Sequence, residues 1–276
     1  MKIETHLEID RPGGSIVEAL SDTTGLSKAS VKTAMTKGAV WLSRGSNTQR
    51  VRRAKKTIIA GDTLHLYFDE AILAQRPSDA LLIADEGDYS IWHKPYGMLS
   101  QGSKWGDHCT IHRWVEGQLE PQRPAFITHR LDRAATGLMI IAHSKKTAAY
   151  FAEQFRRRAV EKRYRAVVLG CFPESRTFND PIEGRPALTH ATRLDYEQTG
   201  DLSLVDVEIA TGRKHQIRRH LAGAGFPILG DRLYGNTMRM HEGDLSLAAC
   251  HLRFVPAGDN ASRSYTLPPE LRPSFP

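Results

Sequence analysis

The chain is expected to fold in the α+β class, as a small N-terminal αβ module followed by a larger domain of strands and helices. Three observations carry that expectation. Two segments alternate with period two: EKRYRAVVLG (161–170), with Tyr164, Ala166 and Val168 on one face, and SLVDVEIATG (203–212), with Val205, Val207 and Ile209 on one face. SKKTAAYFAEQFRRR (144–158) instead spaces Ala148, Phe151, Ala152 and Phe155 as an amphipathic helix does. Between the first third of the chain and the rest, DEAILAQRPSDA (69–80) loses periodicity and carries Pro77, so it reads as a linker. The expected domains are 1–75 and 76–276.

Composition bounds the possibilities further. At 276 residues, with 40% hydrophobic and 25% charged residues, the chain can bury a full core and has room for two domains. Its 38 Lys and Arg against 31 Asp and Glu give a net charge of +7, which favours a polyanionic partner. Cys109, Cys171 and Cys250 lie far apart, with no CxxC and no disulfide framework, so a reducing, cytoplasmic setting is expected. The N-terminus lacks the apolar core of a signal peptide, and no apolar run is long enough to span a bilayer, so no membrane partner is expected. The sequon at Asn260 is then accidental. There is no Walker A, HExxH or GxGxxG motif.

In chain order, SIVEALSDTTG and LSKASVKTAMTKG read as two short helices, with Ser27 placed to cap the second and Gly38 to end it. AVWLS (39–43) and DTLHLYF (62–68) read as strands. From Lys28 to Lys56 the chain carries Lys28, Lys32, Lys37, Arg44, Arg50, Arg52, Arg53, Lys55 and Lys56 with no acid among them. Ordinary surfaces mix signs, so this run reads as a nucleic-acid-binding patch, with a plain solvated basic face as the alternative.

The second domain opens with LLIADEGDYSIWHK, two short strands around a turn at Glu86–Asp88, and Lys94-Pro95-Tyr96-Gly97 then forces a turn. In HRLDRAATGLMIIA (129–142) a polar run reaches a small-residue turn at Thr136-Gly137. The apolar run Leu138 to Ala142 fits a buried strand. Asp132 is thereby placed on a short loop leading into the core, with basic side chains on both sides. A carboxylate there is costly to bury unless a cation meets it, and by itself the run reads as a structural ion pair. Ser144 is placed to cap the helix that follows, and Arg156, Arg157 and Arg158 suit its C-terminal dipole. Tyr164 is either a core aromatic or a stacking platform. After Thr211-Gly212, Ile217 and Leu221 set one face of a short helix. Its other face carries Arg213, Lys214, His215, Arg218, Arg219 and His220, a setting suited to anions. FPILGDRLYG (226–235) reads as a buried strand and turn.

Four blocks thus stand in order: HKPYGML, HRLDRAATGLMII, EKRYRAVVLG, and TGRKHQIRRH followed by GFPILGDRLYG. Together they resemble the RluA family of pseudouridine synthases over about 90–253, with further matches at GRPALTHATRLDYE and LAACHLRF. His93 stands where the family usually has Asn, and Ala135-Thr136 where it usually has Thr-Ser. The helix–turn–helix–strand order of 15–68 resembles the S-four-like RNA-binding module, named for a ribosomal protein, although RGSNTQRVRRAKK is more basic than that module usually shows.

The resemblance implies a mixed, mostly antiparallel sheet flanked by helices, and an isomerase that converts uridine in ribosomal or transfer RNA to pseudouridine. It implies Asp132 as the essential carboxylate, Arg218 as the cation beside it and Tyr164 as the aromatic against the base. Ile217 would lie on the base's other face and Arg130 near the extruded nucleotide, with His129, Arg213 and His215 also placed in the substrate site. No metal or cofactor is implied, RNA is the expected partner and a monomer the expected state. Two other classes compete. A metal-free ribonuclease would draw acid and base from His129, His215 and His220. A silent RNA-binding protein would be expected to lack Asp132, Arg218 or Tyr164.

Overall fold

The structure, a computed structural model, describes residues 1–235 and 243–276. They form two compact units, Met1–Pro77 with Gln101–Gly117, and Ser78–Ser100 with Gln118–Pro276.

The first unit is a four-stranded antiparallel sheet with helices on one face. Its strands are β1 (Lys2–Glu8), β2 (Val40–Arg44), β3 (Asn47–Arg50) and β4 (Thr63–Asp69), in the order β1-β4-β2-β3. Helices α1 (Ile16–Thr24) and α2 (Lys28–Thr36) bury Ile16, Val17, Leu20, Val31, Ala34 and Met35 in one core with Val40, Leu42, Leu64 and Leu66. The Ser27 side chain accepts from Ser30 N at 3.1 Å, so the expected cap is formed.

Strand β3, in the basic stretch after β2, was not expected, and three further features of this unit differ from the sequence-based expectation. Strand β1 was not expected, because it is half-buried and its outward residues Lys2, Glu4, His6 and Glu8 mask the inward Ile3, Thr5 and Leu7. The stretch read as a linker contains α3 (Glu70–Ala74), capped by Asp69, which accepts from Ile72 N at 3.2 Å. Residues 101–117, expected in 76–276, belong with the first unit and carry most of α4 (Ile111–Gln118). Trp41 Nε1 donates to Lys104 O at 3.1 Å and Arg50 to Ser103 O at 2.8 Å. Such contacts between distant residues leave no local pattern in a sequence.

The second unit is built on a ten-stranded mixed sheet. Its strands are β5 (Leu81–Asp85), β6 (Tyr89–Lys94), β7 (Phe126–Ile127), β8 (Thr136–Ala142), β9 (Glu161–Leu169), β10 (Ser175–Phe178), β11 (Thr189–Glu197), β12 (Leu202–Ile209), β13 (Leu247–Phe254) and β14 (Arg263–Thr266). The main path runs β10-β11-β12-β9-β13-β8-β6-β5, with β14 beside β13 and β7 beside β8. Its pairs are antiparallel except β8 with β13. At that parallel pair Gly137 takes φ +111°, and a Cβ there would meet the Ala249 backbone at 2.4 Å. Only glycine lets β13 approach where the Asp132 loop enters β8. Helix α5 (Lys145–Arg156) is capped by Ser144 and packs Phe151 against Tyr89 and Phe254; α6 (Gln216–Gly223) follows β12. The expected strand at 226–235 is replaced by turns, with a single bridge between Ile228 and Val168. Its Asp231 pairs with Arg218 of α6. Among the described residues no helix is long and apolar enough to cross a membrane.

Candidate active site

Asp132 lies on an irregular loop between β7 and β8, as the sequence implies. The loop is held from both sides. Ser100 Oγ donates to Leu131 O at 2.7 Å and accepts from Leu131 N at 3.0 Å. On the other side Arg133 O accepts from Gly97 N at 3.0 Å and from Lys94 Nζ at 3.3 Å. Lys94 is fully buried and also donates to Pro95 O and Met98 O, each at 3.0 Å, so three carbonyls meet its three N–H groups. Burial pushes Lys94 down to about 7, and the negative charge of Asp132 works against that shift. The Lys-Pro-Tyr-Gly turn therefore fixes the Asp132 backbone. Sequence reasoning recognised the turn and missed the lysine's part in it.

Opposite the loop, α6 brings Arg218 Nη1 to 3.8 Å from Asp132 Oδ2 and His215 Nε2 to 3.8 Å from Oδ1. The Asp132 side chain is 26% exposed, whereas Arg218 is 4% exposed. Arg218 makes its direct bonds elsewhere. Its Nε and Nη2 donate to the two oxygens of Asp231 at 2.8 and 2.7 Å, a bidentate pair. Burial works against charge on both groups, yet the Arg218 bonds and the Leu233 and Tyr234 backbone N–H groups hold Asp231 below the usual carboxylate range. Asp231 sits in the turn that the sequence assigned to packing. Nothing in the spacing from 218 to 231 points to the pair.

His215 sets the entry to α6 at φ +56°, an unusual value for a residue with a side chain. Its Nδ1 lies 2.9 Å from the Tyr234 hydroxyl, which also accepts from Arg219 Nε at 3.0 Å. Burial lowers the His215 pKa, and Asp132 opposes the shift. Tyr164, on β9, is 7% exposed, and burial, reinforced by Asp132, pushes its phenol up, so it stays protonated. A cavity of about 90 Å³ is lined by Asp132, Tyr164, Ile217 and Arg218, and Arg130, Arg213 and His215 also reach it. Seven of the expected site residues thus come together.

His129 does not line this cavity. Its ring lies 4.6 Å from that of Phe155, and its Nε2 accepts from Ile140 N at 3.0 Å, so it braces the loop from outside. Burial pushes it down to about 3. The folded protein therefore binds fewer protons than the unfolded chain between that value and the ordinary histidine pKa of about 6.5. The stability this provides is full above about pH 6.5 and is lost as pH falls toward 3. His129→Gln is expected to flatten the acid limb of unfolding free energy against pH by up to about 1.4 kcal/mol per pH unit, measured by urea titration.

The run of nine basic residues is not one free patch. Lys28 pairs with Glu18 at 2.7 Å, Arg44 forks onto Asp62, Arg50 and Arg52 converge on Asp107, and Lys37 donates to Leu73 O. Acids remote in sequence supply the sign mixing that the segment lacks. Lys32, Arg53, Lys55 and Lys56 remain exposed.

A carboxylate, a buried guanidinium and a protonated phenol thus line one cavity at the loop edge of a large mixed sheet. The comparisons with known proteins give the family. Residues 88–223 match the family model described as RNA pseudouridylate synthase. An uncharacterized RNA pseudouridine synthase of Synechocystis is 33% identical over 240 residues, covering 77% of this chain and 81% of that protein. A ribosomal large subunit pseudouridine synthase D of Nitrosomonas europaea is 31% identical over 197 residues, covering 65% of this chain and 56% of that protein. An uncharacterized RNA pseudouridine synthase of Chloroflexus aurantiacus is 36% identical over 169 residues, covering 56% of this chain. The chain spans about half the length of that relative, 52%. Among solved structures, human RNA pseudouridylate synthase domain containing 1 superposes with a TM-score of 0.60 at 22% identity, covering 72% of this chain and 88% of that one, a likeness of fold. The chain belongs to the RluA family of RNA pseudouridine synthases.

Proposed function

We propose that this protein isomerises uridine to pseudouridine in RNA, without cofactor, and that Asp132 carries the chemistry. The observation behind this reading is that Asp132, Tyr164, Ile217 and Arg218, from three blocks far apart in sequence, line one cavity. In the reaction the N1–C1′ bond breaks, the base turns, and C5 bonds to C1′. C5 gives up its proton and N1 gains one, so the chain's mass does not change. Extruding the base costs a few kcal/mol. Stacking on Tyr164 returns about 1–3 kcal/mol of that, with Ile217 closing the other face. The carboxylate acts in one of three ways, on the sugar, on the ring, or on a ribose proton. Arg218 faces that carboxylate at 3.8 Å and supplies the positive charge beside it. Tyr164, kept protonated, is suited to relaying the C5 proton. Arg130, Arg213 and His215 are assigned to the nucleotide at the cavity mouth.

Ribosomal RNA is the substrate we favour over transfer RNA, on the name of the Nitrosomonas relative and on the S-four-like order of helices and strands in the first unit. We assign the protein to the cytoplasm as a monomer of two domains. Mapping pseudouridines in total RNA from cells with and without the protein tests the reading. Sites that vanish without it identify the substrate, and an unchanged map refutes the assignment. Neutralising Lys32, Arg53, Lys55 and Lys56 together is expected to lower the slope of log affinity for RNA against log salt by up to about 3, whereas neutralising paired Lys28 and Arg44 should change it far less. Filter binding over a salt series reads both.

A further inference from the structure

A second cavity adjoins the first. It is an open groove of about 670 Å³ between the end of α5, the start of β9 and the end of β12, and Lys162, Ile209, Gly212 and Arg213 line both. The groove carries Arg156, Arg158, Lys162, Arg163 and Arg213 against two carboxylates, Glu161 and Glu208. Several of these cations are already engaged. Arg156 pairs with Glu153 at 2.6 Å, Arg163 with Glu161 at 3.0 Å, and Arg213 Nε donates to Pro186 O at 3.0 Å.

Lys162 differs from them. Strand alternation puts it on the same face of β9 as Tyr164, two residues or about 7 Å away. Its Nζ lies 5.2 Å from the centre of the Phe155 ring. Its charge is disfavoured by burial alone, with no carboxylate opposing the effect. A desolvated ammonium normally has an anion beside it. Here, among the described residues, none is paired to it by the fold, and Lys162 lines a groove open to solvent. Arg158, just past α5, lines the same groove and is held at φ +59°, while its neighbours Arg156 and Arg157 turn to Glu153.

We propose that this groove carries the phosphodiester backbone of the RNA on one side of the target uridine, and that Lys162 grips the phosphate next to that nucleotide. The anion missing from the fold is then supplied by the substrate. The spacing along β9 sets the base on Tyr164 while the backbone runs over Lys162. Lys162 is a positioning residue, since it holds the strand and does not touch the reacting atoms. This assignment rests on the synthase reading for its substrate but is tested separately from it.

The test uses the full chain and an oligouridine strand, with binding followed by fluorescence anisotropy across a potassium chloride series. Lys162→Met is expected to lower the salt slope by about 0.7 and to weaken binding roughly five-fold near 0.1 M salt. Lys162→Arg should restore both. Thermal unfolding of Lys162→Met should be unchanged or raised, because a half-buried ammonium with no acid paired to it is removed. An unchanged slope, a fall in melting temperature that Arg does not rescue, or an equal slope loss in Lys145→Met on α5 would each overturn the proposal. Isomerisation is scored on the same preparations by release of hydrogen from uridine C5. A wild-type chain that isomerises while Lys162→Met keeps the full slope refutes the groove alone. One that shows the slope change but releases no C5 hydrogen refutes the synthase reading alone.

Discussion

Asp132→Asn is expected to bind RNA as the wild type does and to form pseudouridine at least about 10⁴-fold more slowly. The amide keeps the shape of the side chain, and the loop does not depend on the carboxylate. Its backbone is clipped by Ser100 at Leu131 and by Gly97 and Lys94 at Arg133. Among the described residues the wild-type carboxylate has no direct hydrogen bond that the amide would lose, since its two cationic neighbours stand at 3.8 Å. The binding proposed above rests on the cations and on Tyr164, which the substitution leaves in place. Single-turnover kinetics beside a binding isotherm separates the two effects. Loss of affinity matching the loss of rate would mean that Asp132 serves binding, not chemistry.

Asp231→Asn is expected to lower the melting temperature by roughly 10 °C and to cut turnover as well. It leaves Arg218, 4% exposed, without its bidentate partner. Breaking a buried pair from one side costs about 3–5 kcal/mol, and each kcal/mol is worth about 2–4 °C in a chain of this size. Among the described residues the remaining carboxylate near Arg218 is Asp132, so the guanidinium is expected to swing toward it and spoil the 3.8 Å geometry. The double replacement Arg218→Met with Asp231→Leu should recover most of the stability and none of the activity. Differential scanning calorimetry with an activity assay reads both. Recovery of turnover in the double variant would show that the pair serves only the fold.

The contrast between Asp132 and Asp231 shows what could be read in the sequence. Asp132 is flanked by a basic run and a buried strand of seven residues, so its loop was legible from period and turn signals. Asp231 meets Arg218 through the chain's return past α6, a contact with no periodicity behind it. The long, strongly patterned elements, α5, β8, β9 and β12, were legible for the same reason as the Asp132 loop. Strand β1, with its buried face limited to Ile3, Thr5 and Leu7, was not. Charge was the least faithful guide. The run from Lys28 to Lys56 looked uncompensated because Glu18, Asp62 and Asp107 lie outside it in sequence, while Lys162, a half-buried cation with no acid paired to it among the described residues, sits beside Glu161 in a strand of mixed sign. His129 was misplaced because a histidine before a basic loop looks available, and only the fold turns it onto Phe155 and Ile140.

The decisive measurement is hydrogen release from RNA labelled with tritium at uridine C5, with strand length followed on the same samples. Wild-type protein should release one tritium for each pseudouridine formed and leave every strand intact, and Asp132→Asn should release none. Cut strands without tritium release, or full release by the asparagine variant, would contradict the role given to this carboxylate.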